Sequence, residues 1–184
     1  MNRRVYGSAL ALAMLATACA EPPTTERNQA EGAIAAARAG EAAIYAPDEL
    51  KAAEAALAKY DAAVTQRDYR QALNLAMEAR DTAYEAVKHA GNEKAAVRSQ
   101  AERLVTDVDA LIKQAAIKRG QTPARPAADH PAVDLKAAAI TLQEARTALA
   151  QAKYLDVVSQ LAPLAEQLRK ELGQAAPAPA RRGR

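Results

Sequence analysis

Few side chains in this sequence could do chemistry, and their spacing decides what each could do. Cys19 is the single cysteine, so no disulfide can form within the chain. His89 and His130 are the only histidines, and neither has further ligands at metal-binding spacing, which argues against a metal centre. Ser99 and Ser159 belong to no Ser-His-Asp arrangement, and no glycine-rich phosphate loop occurs. Glu78, Asp81 and Glu85 share helical spacing, and a solvated charged face explains them better than acid–base work. Tyr60, Tyr69, Tyr84 and Tyr154 could form a binding interface, although packing inside a helical hairpin is the simpler role for them. No cofactor is implied, and the reading is of a protein that is not an enzyme.

The elements that carry these residues are helices. Alanine fills 51 of 184 positions, Trp and Phe are absent and glycine is scarce, so strands lack their usual residues. The expected class is all-α: an elongated antiparallel helical bundle of two hairpins sharing a long middle helix, with too few bulky side chains for a deep pocket. The formal charge of +3 includes Arg3 and Arg4, and bases alternate with acids along each helix, which excludes nucleic acid as a partner.

The organising stretch runs from Ala46 to Ala90. Pro47 disfavours helix at Ala46 and opens the next helix, with Asp48 and Glu49 in its first turn. Leu50, Ala53, Leu57, Tyr60 and Val64 recur at spacings of three and four, one apolar stripe. After a polar break at Arg67-Asp68, a second arm carries alanine at 72, 76, 79, 83, 86 and 90. Alanine there lets helix backbones approach closely but buries little apolar area per residue.

Before this hairpin, a first helix is expected over about residues 28–46, weakened by Gly32 and Gly40. Beyond it, Val97, Ala101, Leu104, Val108, Leu111 and Ala115 resume a stripe, and one continuous or kinked helix past Gly91 is favoured over two. If continuous from Tyr69 to Lys118, that helix would span about 75 Å. A proline-rich linker occupies 120–132 and a second hairpin 133–173, with Pro163 expected to kink its second arm. The tail 174–184, with Arg181, Arg182 and Arg184, is expected to be disordered. Offset by 85 residues, Leu50-Lys51-Ala52-Ala53 aligns with Leu135-Lys136-Ala137-Ala138, and Leu57, Gln66 and Tyr69 align with Leu142, Gln151 and Tyr154. The two hairpins read as an internal repeat.

The N-terminus reads as an address. Arg3 and Arg4 precede an apolar run, Val5 to Ala16, too short to span a bilayer, which needs about 20 residues. It ends in Leu15-Ala16-Thr17-Ala18-Cys19, which resembles a bacterial lipobox, with Ala16 where leucine is favoured. The resemblance implies a signal peptide over 1–18, acylation (palmitate among the chains) of Cys19, a tether over 19–27 and attachment to a membrane through the lipid. Ala20 follows Cys19 where retained lipoproteins carry aspartate, which implies the periplasmic side of the outer membrane.

Ala46-Pro47-Asp48-Glu49-Leu50, then Asp68-Tyr69 with Ala72, Leu75, Ala76, Ala79, Asp81, Ala83 and Ala86, resembles an alanine-rich helical-hairpin domain of unknown function found in Gram-negative lipoproteins. Arg67 stands where that family has glycine. The likeness covers about residues 33–89. Relatives often add an OmpA-type domain, but no mixed α/β pattern follows residue 119, so a peptidoglycan contact has no support. Two functions are weighed. The first is a lipid-anchored envelope protein of structural or adapter type, binding another envelope protein in the periplasm. The second is a periplasmic carrier or chaperone that shields apolar ligands or unfolded clients between its helices.

Overall fold

The computed structural model describes residues 21–121 and 133–174. Residues 1–20, which include Cys19, and the tail from 175 lie outside the described residues, as does the expected linker over 120–132 except for Gly120 and Gln121, which continue α4 rather than open the linker. Every regular element among the described residues is a helix: α1 (Thr24–Ala39), α2 (Ala42–Tyr45), α3 (Pro47–Thr65), α4 (Tyr69–Gln121), α5 (Leu135–Ala150) and α6 (Tyr154–Leu172). The chain is all-α.

Two differences from the sequence expectation concern its first helix. It starts at Thr24 rather than near residue 28, following Pro22 and Pro23, with Glu26 favourably placed in the first turn. It also stops at Ala39. The Gly40 N–H closes on Ala36 O at 2.9 Å, and Glu41 then enters the left-handed region at φ 61. That break re-aims the chain so that α2 can bury Ala42, with Ala46 behind it, against the same core as α1. Pro47 opens α3, where its missing N–H costs nothing. Pro163 sits inside α6, which continues through it to Leu172.

The chain divides into two compact units between Gly91 and Asn92, inside α4. In the first unit, pairing along α3 and α4 runs antiparallel. Tyr60 and Ala63 cluster with Ala72 and Ala76 near the turn. Ala56 meets Ala79 together with Ala30 of α1. Leu50 and Ala53 meet Ala83, Ala86 and Ala90 at the far end, with Ala33, Ile34 and Ala37 of α1 completing the core. The α4 alanines 72, 76, 79, 83, 86 and 90 are all 0% exposed, so the seam is alanine from end to end. Exposed ion pairs lace α1 to α3, Arg38–Glu54 at 2.7 Å and Arg27–Asp61 at 3.5 Å. Each is worth roughly 0.2–1 kcal/mol.

The second unit packs Ala101, Val108, Leu111 and Ala115 of α4 against Leu142 and Ala145 of α5 and Val157, Leu161, Ala165 and Leu168 of α6. Asp134 caps α5, its carboxylate accepting from the N–H groups of Lys136 at 2.9 Å and Ala137 at 3.3 Å. Gly173, at φ 72, ends α6, with the Gln174 N–H returning to Arg169 O at 2.9 Å.

Candidate functional site

The residues with binding or chemical potential fall at separate places rather than in one site. Tyr60 is 2% exposed and belongs to the α3–α4 core, where burial pushes its phenol above the usual tyrosine range. Tyr69 and Tyr154 are half-buried at the first positions of α4 and α6, and Tyr154 packs on the second unit's core. Tyr84 is different: it is 57% exposed. Met77 and Val87 are also exposed on α4, and the spacing 77, 84, 87 keeps the three on one flank of the helix, beside the alanine seam. The four tyrosines therefore share no interface within the chain, and Tyr84 alone presents a ring to solvent on this flank.

Several charged groups are tied to one another. His89 Nδ1 lies 2.6 Å from Glu49 Oε1, linking α4 to the first turn of α3. That bond, aided by Glu49's own backbone, holds the Glu49 carboxyl below the usual carboxylate range. Glu85 Oε2 is 3.8 Å from His89 Nε2 and 3.4 Å from Lys88 Nζ, so it serves as a surface ion-pair partner. Asp81 accepts from Arg80 Nε at 2.9 Å, and Arg80 also reaches Gln29 of α1 at 3.4 Å.

In the second unit, Asp109 accepts from Lys113 at 2.6 Å and Arg146 at 2.9 Å; the Lys113 bond is the main cause of its lowered pKa. Arg169 pairs with Asp107. Glu171 accepts from Arg119 Nε at 2.8 Å and from the Val133 N–H at 3.1 Å, and Arg119 donates to Val133 O at 2.6 Å. Apart from Asp109–Lys113 and Arg119–Val133, these links join residues 37 to 62 apart in sequence, and no local motif announces them.

One depression of about 550 Å³ opens on α4, lined by Ser99, Glu102, Arg103, Thr106, Asp107 and Ala110. It is open to solvent, and its acids are engaged: Glu102 with Arg98 at 2.8 Å and Asp107 with Arg169. Such a surface offers no enclosed, desolvated place for general acid–base work. Among the described residues no group of three or more His, Cys, Asp or Glu could hold a metal ion. None of their helices is long and apolar enough to cross a membrane.

No family model, curated protein or solved structure matches this chain.

Proposed function

We propose that this protein is a lipid-anchored adapter of the bacterial cell envelope, of the alanine-rich hairpin type found in Gram-negative lipoproteins. In this reading it is exported, acylated at Cys19 and held on the periplasmic side of the outer membrane, where it binds another envelope protein and catalyses nothing. The observation that carries the binding role is the α4 flank of Met77, Tyr84 and Val87, exposed by 41%, 57% and 36%. Beside it runs a seam of alanines at 0%, too closely packed to admit a ligand. Tyrosine and methionine are among the residues enriched at the centre of protein interfaces. The Leu15-to-Cys19 run supports the anchor. The carrier reading needs an apolar cavity between helices, whereas the α4 depression is open and lined mostly by polar residues.

The test is cross-linking in intact cells followed by mass spectrometry, with the native chain, Cys19→Ala and Tyr84→Ala compared. An exposed-to-alanine change at Tyr84 alters stability by no more than about 0.5 kcal/mol, so the fold survives it. The adapter reading expects palmitate labelling that disappears in Cys19→Ala, and one dominant protein partner that disappears in Tyr84→Ala. Capture of lipid or of many unfolded clients overturns it in favour of the carrier.

A further inference from the structure

Helix α4 is supported unevenly along its length. Ala90 is fully buried in the first unit's core, and Ala101 is fully buried in the second's. The ten residues between them, Gly91 to Gln100, bury no side chain: Lys94 and Val97 are half-buried and the other eight are exposed. The boundary between the two compact units falls at the start of this run.

Helices in proteins owe most of their stability to the packing of an apolar face, and this run buries none. The weakest helix formers of the run gather at its N-terminal end, while Glu93 to Ala96, Arg98 and Gln100 favour helix. Gly91 and Asn92 are poor helix formers, and Ser99 competes with the backbone for hydrogen bonds. Nothing in the packing demands glycine at 91, because a Cβ built there meets no atom within 4 Å, and its φ is not among the positive ones. Its consequence is therefore confined to helix stability. One ion pair from this segment, Arg98–Glu102 at 2.8 Å, has the base N-terminal to the acid, the less favourable order against the helix dipole.

We infer that Gly91–Gln100 is a joint built into α4, where the helix unwinds locally while both units remain folded. Each unit is then a separate cooperative body, and binding or unfolding in one is not transmitted rigidly to the other. The inference rests on burial and helix propensity and is independent of the proposed function.

Hydrogen exchange on the full chain, resolved by segment, tests it. Amides over 92–101 are expected to exchange roughly tenfold or more faster than those over 79–90 and 104–115. Gly91→Ala should slow exchange in the joint about fivefold, the difference in helix propensity between the two residues, and leave the flanking segments unchanged. Equal protection along α4 overturns the joint. So does a Gly91→Ala variant that slows exchange equally everywhere, because the glycine would then act on global stability.

Discussion

The two units make the same turn and fill it with different residues. At α3–α4, Arg67 takes φ 58, its N–H returns to Val64 O at 2.9 Å, and the Asp68 N–H reaches Ala63 O at 2.9 Å. At α5–α6, Ala152 takes φ 58, its N–H returns to Leu149 O at 3.0 Å, and the Lys153 N–H reaches Ala148 O at 3.0 Å. Every partner is displaced by the same 85 residues. Past the turn, Ala72, Ala76 and Ala83 occupy the positions of Val157, Leu161 and Leu168, all six at 0% exposure. The largest fully buried side chains, Leu161, Leu168, Val108 and Val157, all belong to the second unit. A shared backbone turn thus coexists with two kinds of seam. Alanine gains close backbone approach, while leucine and valine gain apolar area at about 0.8 kcal/mol per buried CH2.

Exchanging the seam residues at one repeat position gives the largest expected effect. Leu161→Ala should destabilise the second unit by about 2–5 kcal/mol, through lost transfer energy and the cavity left behind. Its counterpart Ala76→Leu has no space to enter and should destabilise the first unit by about 1–3 kcal/mol through overpacking. Urea unfolding followed by segment-resolved hydrogen exchange assigns each loss to its unit. A neutral Ala76→Leu would mean that the alanine seam is loose, and the contrast between the seams would fail.

The turn tests the part that the units share. A non-glycine residue in the left-handed region costs roughly 1–2 kcal/mol, partly offset by the extra entropy glycine loses on folding. Arg67→Gly and Ala152→Gly should therefore each stabilise their own unit by about 1 kcal/mol. Equal gains, measured by urea midpoint, would show that chain geometry sets the turn. A gain at one site alone would mean that the surrounding core dictates the conformation there.

Much of this fold is legible in the sequence because it is written in local signals. Pro47 marks the start of α3, Arg67-Asp68 the break after it, and Tyr154 the start of α6, and each reading needs only neighbouring residues. The period of the alanine stripe picks out the buried positions of α4 down to Ala90. The break at Gly40-Glu41 was hidden because Glu41 adopts φ 61 without the glycine or asparagine that usually signals it. The start of α1 at Thr24 falls inside the stretch 19–27 expected as a tether, because Pro22 and Pro23 immediately precede it. Of the site, the sequence singled out four tyrosines together, although Tyr60 lies in the apolar stripe of α3 and is 2% exposed, whereas Tyr84 stands outside the alanine stripe of α4 and is 57% exposed. The pairs Glu49–His89 and Asp107–Arg169 lie 40 and 62 residues apart, and only the folded units bring them together.

The smallest expected effect concerns acid, where the two units again use different partners for one purpose. Glu49 is held below its usual pKa first by its bond to His89, and Asp109 first by its bond to Lys113. A carboxyl whose pKa is depressed on folding adds stability above the ordinary carboxylate range and loses it as pH falls through the folded value. Both units should therefore weaken on the acid side, modestly, because both groups sit at the surface. His89→Ala removes the main cause at Glu49 and should flatten the acid limb of the first unit while leaving that of the second intact. Asp109→Asn should do the reverse. Segment-resolved hydrogen exchange across the acid range reads the two limbs separately. An unchanged first-unit limb in His89→Ala would mean that Glu49's own backbone, rather than the imidazole, holds its proton affinity down.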